Sequence, residues 1–254
     1  MENQHGFNTM NSLPVIHQFS FYAHILIGTA ALILFWIPIV SRKGGVDHRK
    51  FGKIYSMVMY AVAATGALMA IIVLYDPILI HGHRLSDVSR ADVFTSRMRV
   101  FYSLLLFLSL LVYVGIRHGQ LALKAKTNHS IMRSPTHLFL NFLLCLSSIA
   151  LLGSGINNSH TLSIIFGVLG LAGSIGNLRF CLQNYVGKQR WLVEHLSSYI
   201  GTGIGAYTAF LTFGGRSLFS DIGSWQLVFW VLPGVIGGIA IHFYSKKYMP
   251  KSLA

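Results

Sequence analysis

Long apolar runs alternate with short polar segments along nearly the whole chain. Seven runs can be drawn, at approximately residues 15–40, 54–75, 98–117, 135–156, 161–183, 192–213 and 225–244. A helix that crosses about 30 Å of hydrocarbon at about 1.5 Å per residue needs roughly 20 residues, which every run provides. The pattern therefore predicts an all-α fold: one integral membrane domain over residues 1–254, built as a polytopic bundle of seven transmembrane helices.

The Lys and Arg residues fall mostly between alternate pairs of runs. If the N-terminus lies outside, the segments on the inner side carry fifteen of these residues and the outer segments carry five. The positive-inside rule then predicts an outer N-terminus and a cytoplasmic C-terminus. The stretch GGVDHRKFGKIY, residues 44–55, is a strongly basic inner segment and is expected to act as an orientation signal.

Composition supports a membrane chain and changes the meaning of its charge. Hydrophobic residues make up 53% and charged residues 11%, with a mean hydropathy of +0.58, against roughly 45–50% and about 25% in ordinary soluble domains. A net charge of +13 would suggest nucleic-acid binding in a soluble protein, but here the basic residues flank apolar runs. The expected partner is therefore the lipid bilayer, with no nucleic acid.

The acidic residues and the cysteines each argue against one kind of chemistry. All seven acidic residues lie at run ends or in loops, including Glu194 near the start of the sixth run. Ion-coupled transporters usually rely on carboxylates inside the membrane, so this distribution weakens that function. Cys145 and Cys181 lie inside apolar runs without CxxC spacing. The sequence therefore predicts neither a disulfide nor a thiolate metal site, and both cysteines are interpreted as packing residues.

Glycines repeat every three or four residues in the last three runs. They are Gly167, Gly170, Gly173, Gly176, Gly201, Gly205, Gly234 and Gly238. Small residues at this spacing let helix backbones approach each other closely in a membrane. We therefore expect these glycines at helix interfaces.

His24 is the histidine that the sequence places deepest in the membrane. It follows His17 by seven residues on the same face of the first helix, about 10 Å further along the helix axis. An ionisable side chain inside a membrane is expensive to bury, which makes a functional role the first hypothesis. The alternative is a neutral His24 that is hydrogen-bonded to a neighbouring helix.

A second group of histidines is predicted on the inner side. His137 and His195 lie near the starts of their runs, and His48, His118 and His129 fall in the segments on that side. His48, His137 and His195 are the candidate ligands for a transition metal, and two histidines from facing helices are also candidate axial ligands for haem b. Interfacial histidines beside lipid headgroups are the alternative interpretation.

Two segments resemble a bacterial family of predicted multi-pass membrane proteins of unknown function. The first is the pattern of His24 and Gly28, then Ala31-Leu32, followed by a basic segment with His48-Arg49, Gly52 and Tyr55. The second is RWLVEHLSSYIGTGIGAYTAF near the end. The resemblance covers about the first 60 residues and about 20 near the end. It implies a bacterial cytoplasmic membrane location and supports these histidines as a set, without implying a reaction.

Two functional classes follow from these residues. The first is a redox membrane protein that binds haem b or a transition metal through ligands drawn from His24, His48, His137 and His195, with Arg49 placed to meet haem propionates or an anionic substrate. The second is a non-redox transporter, sensor or structural partner whose histidines titrate. Spacing alone does not separate the two classes.

Overall fold

The structure is a computed structural model, and it describes residues 2–126, 128–183, 189–214 and 226–248. The described parts consist of helices and the short segments that join them, without a strand. The prediction of an all-α protein is therefore confirmed. Lys188, Arg216, Lys251 and the C-terminal end, which entered the topology prediction, lie outside the described residues.

Eight α-helices follow one another along the described chain. They are α1 (Glu2–Val40), α2 (Val46–Tyr75), α3 (Pro77–His81), α4 (Ala91–Ala125), α5 (Pro135–Asn157), α6 (Thr161–Leu182), α7 (Arg190–Ala209) and α8 (Gln226–Tyr248). Short 3-10 turns lie between α3 and α4 and between α4 and α5, and one π turn, Phe210–Gly214, follows α7. Each predicted run overlaps one of the long helices.

Five segments are long and apolar enough to cross a membrane, as is typical of an integral membrane protein. They are Ser12–Val40, Val46–Tyr75, Val88–Ala125, Pro135–Asn157 and Thr161–Leu182. These correspond to the first five predicted runs. The two further crossings, at 192–213 and 225–244, and the orientation of the bundle stay predictions.

Helices α2 and α4 extend well beyond the apolar runs that predicted them. The second run begins at 54, but α2 begins at Val46, so His48 and Arg49 lie in the first turns of a helix and not in a loop. The third run ends at 117, but α4 continues to Ala125 and includes His118. Hydropathy marks the part of a helix that suits hydrocarbon, whereas backbone hydrogen bonds continue into the polar boundary.

The neighbouring long helices are antiparallel, so their ends gather at two levels. We call one level the basic end; it contains the C-terminal ends of α1, α4 and α6 and the N-terminal ends of α2, α5 and α7. The opposite level is called the far end. A buried apolar cluster between α4 and α5 lies between the two levels and contains Leu104, Phe107, Val114, Leu144 and Leu151.

Two of the eight predicted interface glycines face another helix closely. A Cβ on Gly167 would lie 2.9 Å from Cβ of Leu152, and one on Gly170 would lie 2.3 Å from the ring of Phe107. The other six face open space, with nothing within 4 Å of the Cβ position: Gly173, Gly176, Gly201, Gly205, Gly234 and Gly238. Spacing identifies the shared face of a helix, but it does not show whether a neighbour covers that face.

Candidate metal centre

Two histidines meet at the basic end, on neighbouring helices. His118 comes from the C-terminal part of α4, and His137 comes from the first turn of α5. Both side chains are fully buried, and Nδ1 of His118 lies 3.1 Å from Nε2 of His137. Two neutral imidazole nitrogens at this distance share one proton, because one must donate and the other must accept. A metal ion can replace that proton if both nitrogens present lone pairs.

Cys181 brings a sulfur atom to the same place. It lies at the C-terminal end of α6 and is fully buried. One ligand atom each from His118, His137 and Cys181 lies within 4.8 Å of the others. Within the described ranges, this is the one group of at least three His, Cys, Asp or Glu side chains arranged in this way. We call these three residues the His2Cys cluster.

The spacing of the His2Cys cluster is close to what one ion needs. Ligand bonds of about 2.0–2.1 Å for nitrogen and about 2.3 Å for sulfur place donors roughly 3.3–3.8 Å from each other. In the cluster, Nδ1 of His118 and Nε2 of His137 lie 3.1 Å apart, and one donor atom from each of the three residues lies within 4.8 Å of the others. Donors at such separations need movements of roughly 1 Å to reach the spacing that a single ion requires.

The end of α6 that carries Cys181 is held by side chains from the turn after α4. The guanidinium group of Arg133 donates to the backbone oxygens of Cys181 at 3.1 Å, Leu182 at 3.3 Å and Gln183 at 2.8 Å. These carbonyl groups lie at the C-terminal end of α6, where helix carbonyl groups lack intrahelical partners. Arg133 therefore fixes the position of the cysteine backbone next to the two histidines.

Glu194 approaches the His2Cys cluster from α7. Its Oε2 atom lies 3.5 Å from Nε2 of His118, while its Oε1 atom accepts from Arg190 at 2.7 Å. The separation from His118 exceeds that of a normal hydrogen bond, and Nε2 of His118 is buried without another partner. A carboxylate on this side of the ring favours the tautomer with hydrogen on Nε2, which leaves the Nδ1 lone pair for a metal.

The side-chain amides of Asn141 and Asn177 form a chain next to His137. The side-chain nitrogen of Asn141 donates to the backbone oxygen of His137 at 2.8 Å and lies 3.2 Å from its Nε2 atom. Asn177 on α6 donates to the side-chain oxygen of Asn141 at 2.9 Å. Polar side chains from α5 and α6 thus restrain the ring that faces His118.

The predicted ligands His48 and His195 also lie at the basic end, but outside the His2Cys cluster. Nδ1 of His48 donates to the backbone oxygen of Pro38 at 2.9 Å, and Nδ1 of His195 donates to that of Gly119 at 3.1 Å. Each bond leaves Nε2 of the ring for another partner, and the two rings are near enough to interact electrostatically. Of the three predicted metal ligands, His137 is the one that belongs to the cluster.

His195 is nevertheless linked to the cluster through α4, because its hydrogen-bond acceptor Gly119 follows His118 in sequence. Tyr199 covers Gly119 so closely that a Cβ there would lie 2.8 Å from the tyrosine ring. Glycine at 119 thus lets α7 pack directly on the helix that carries His118. The side chain of Arg49, another predicted site residue, is exposed near the start of α2.

His24 lies between α1 and α2, separate from the other predicted ligands. Its Nδ1 atom is 2.9 Å from the hydroxyl oxygen of Thr65, and that hydroxyl donates to the backbone oxygen of Ala61 at 2.8 Å. The ring therefore donates to Thr65. This is the geometry of the alternative interpretation, a neutral histidine hydrogen-bonded to a neighbouring helix.

The far end gathers histidines in a looser arrangement. The rings of His17 and His81 meet edge-on with centroids 5.6 Å apart, and His83 lies 6.2 Å from His81. Nε2 of His81 is 2.6 Å from the hydroxyl group of Tyr102. Burial, with the charges of Arg84 and the two neighbouring histidines, lowers the pKa of His81 to about 4. His81 is therefore neutral at physiological pH.

Comparison of the chain with protein-family models, with curated protein sequences and with solved structures found no match. The function is therefore inferred from the geometry of the basic end.

The sequence did not identify Cys181 as a candidate ligand, and it indicated only the level of His118. Cys181 is buried among Ala122, Met132 and Phe180, which confirms that it is a packing residue. The same side chain is also a candidate metal ligand. Its proximity to two histidines had no signal in the sequence, because the three residues are far apart along the chain. His118 was noted but placed in a loop, since the apolar run ended one residue before it.

Proposed function

We propose that this chain is an integral membrane protein that holds a transition-metal ion at the His2Cys cluster of its basic end. The observation that carries the proposal is the convergence of two imidazoles and one thiol, all fully buried, within 4.8 Å. Imidazole and thiolate are the donors that transition metals prefer, whereas magnesium and calcium prefer oxygen.

The location of the site follows from the predicted topology. With seven crossings and an outer N-terminus, the basic end faces the cytoplasm of a bacterial cell, and α7 and α8 also span the bilayer. The excess of Lys and Arg in the segments on this side supports that orientation. The cluster then lies at the cytoplasmic boundary of the membrane. The resemblance to bacterial multi-pass membrane proteins agrees with this placement.

A bare metal ion fits the cluster better than haem b. Two axial nitrogens on opposite sides of a haem iron are about 4 Å apart at about 2 Å per bond, with the macrocycle between them. The nitrogens of His118 and His137 are 3.1 Å apart, and their ring centroids lie 5.3 Å apart at an angle of 38°. The two rings contact each other directly, so a porphyrin has no room between them.

The donor set favours the redox class over ion-coupled transport. Sites built from imidazole and thiolate occur in electron-transfer proteins, whereas coupled transport commonly uses carboxylates inside the membrane. Glu194, the carboxylate next to the cluster, is already paired with Arg190. We therefore place the protein with metal-containing redox membrane proteins.

Metal analysis of the purified protein in detergent tests this function, together with its absorption spectrum. We expect about one transition-metal ion per chain and no Soret band, because a ligand set of this kind binds one bare ion tightly. Cys181→Ser should lose the metal. Cys145→Ser is the matched control, since Cys145 is half-buried on α5 and lies outside the cluster.

Two results would contradict the proposal. One is a wild-type protein that stays metal-free after reconstitution with zinc and with reduced copper. The other is a Cys181→Ser variant that retains as much metal as the wild-type protein. A strong Soret band would instead favour haem at another pair of histidines, with His24, His48 and His195 as the remaining candidates.

A further inference from the structure

We propose that the ion selected by the His2Cys cluster is monovalent copper. This inference rests on the proposed metal-binding function and deepens it by naming the ion. Three properties of the cluster carry it: the number of donors, the charge that they supply and the surroundings of the sulfur atom.

The donor number suits an ion of low coordination number. Structural zinc sites are almost always four-coordinate and tetrahedral. The cluster supplies three donors, and Glu194 approaches His118 at Nε2, the nitrogen that faces away from His137. Glu194 therefore orients His118 and does not complete a tetrahedron. Copper(I) is stable with two or three ligands, and soft sulfur ligands select it.

Charge balance points to the same ion. The three ligands of the cluster contribute one negative charge, the thiolate of Cys181; the nearby carboxylate of Glu194 is balanced by Arg190 at 2.7 Å. A monovalent ion then gives a neutral complex, whereas zinc leaves one positive charge. Arg117, which is close enough to His137 to act on it electrostatically, adds a further positive charge near the cluster. An uncompensated buried charge is strongly unfavourable, so the neutral complex is preferred.

The surroundings of Cys181 are apolar and polarizable. The thiol packs in a buried cluster with Ala122, Ala125, Met132 and Phe180. The ring of Phe180 also meets His118 edge-on with centroids 5.7 Å apart. This environment excludes the water ligands that divalent ions commonly retain, and it suits a soft ion bound to sulfur. A basic end that faces the reducing cytoplasm would meet copper in its monovalent form.

Anaerobic competition measurements on the full-length protein in detergent test the inference. Copper(I) is offered against a chromophoric copper(I) chelator, and zinc(II) is offered in parallel against a chromophoric zinc chelator. We expect one copper(I) ion per chain and copper(I) binding at least about 100-fold tighter than zinc(II), because soft thiolate ligands and charge neutrality both favour it. X-ray absorption of the copper-loaded wild-type protein should show a three-coordinate ion with one sulfur and two nitrogen ligands.

The variants separate this inference from the proposed function. Copper(I) binding should be lost in Cys181→Ser and kept in Cys145→Ser. Preferred binding of zinc(II) in a four-coordinate site would overturn the copper inference and leave the proposed function standing. Binding of neither ion, or copper(I) binding that persists in Cys181→Ser, would overturn both. The absorption measurement on wild-type protein identifies the sulfur ligand even if the serine variant does not fold.

Discussion

At the basic end, His118 and His137 face each other through ring nitrogens 3.1 Å apart, whereas at the far end His17 meets the edge of His81 with ring centroids 5.6 Å apart. The first pair has a buried thiol within reach and a carboxylate behind it. The second has the phenol of Tyr102 and the positive charge of Arg84 beside it. Both places are rich in histidine, but only the first combines convergent lone pairs with a compensating negative charge.

The contrast shows that histidine number is a poor guide to a metal site. A site needs donor atoms that point at a common centre, an anionic ligand to offset the charge of the ion, and partners that fix the tautomers. At the basic end, Cys181 provides the anionic ligand, and Glu194 is the partner that fixes the tautomer of His118. Arg117 at the basic end and Arg84 at the far end both add positive charge, so the thiolate of Cys181 is the feature that favours a cation at the basic end.

The largest expected effect is the loss of metal when a histidine is removed at the basic end, compared with no loss when one is removed at the far end. His137→Ala should abolish stoichiometric metal binding, because the two remaining donors cannot hold the ion against a chelator. His81→Ala should leave the metal content unchanged. Metal analysis after dialysis against a chelator measures both variants. Equal metal loss in the two would remove the distinction between the ends.

A smaller effect is expected from the carboxylate behind His118. Glu194→Gln keeps the size of the side chain but removes its charge, and loss of such a supporting partner lowers metal affinity by about 10–100-fold. Asp92→Asn, an exposed position near the start of α4 at the far end, is the matched control and should have no effect. Competition with a chromophoric chelator gives the affinities. A Glu194→Gln variant with wild-type affinity would show that Glu194 does not orient the ligand.

His24→Gln is expected to be tolerated. Glutamine keeps a donor that can reach the hydroxyl group of Thr65, and the loss of a polar contact between membrane helices costs at most about 2 kcal/mol. Metal content should match that of the wild-type protein, and the thermal midpoint in detergent should fall only modestly. Loss of metal in a folded His24→Gln variant would instead restore the functional hypothesis for this residue.

The smallest expected effect is a pH dependence of stability at the far end. The folded protein holds the pKa of His81 at about 4, while the unfolded chain has the ordinary histidine value of about 6.5. Between these two values the unfolded state binds more protons, so stability rises with pH and is lost as pH falls from about 6.5 toward about 4. Thermal midpoints of the wild-type protein and of His81→Gln measure this; the variant should show the weaker dependence. Identical pH profiles would contradict the assignment.

The sequence predicted more of the fold than of the site. The first five apolar runs match five helices that can cross a membrane, because hydrophobicity and length are local properties. His137 and His195 were expected at one level, and both lie at the basic end; that this end is the inner one stays a prediction. Which residues face each other at that level depends on helix rotation, which local pattern does not specify.

His118 and Cys181 illustrate the limit. The hydropathy boundary at residue 117 separated His118 from its helix, although α4 continues for two more turns to Ala125. Cys181 lies in an apolar run, where a cysteine looks like any small packing residue. Neither position carries a local sign of its partner, because the two residues are 63 positions apart in the sequence.

By itself, the amino-acid sequence determined an all-helical membrane chain, the approximate place of its long helices and the concentration of positive charge between alternate runs. These follow from the free energy of placing side chains in hydrocarbon or water, which each segment expresses independently of the others. Only the tertiary structure decided that His118, His137 and Cys181 form one cluster and that His24 stands apart beside Thr65. Convergence at a point depends on how α4, α5 and α6 rotate and pack, and packing is a property of the whole bundle.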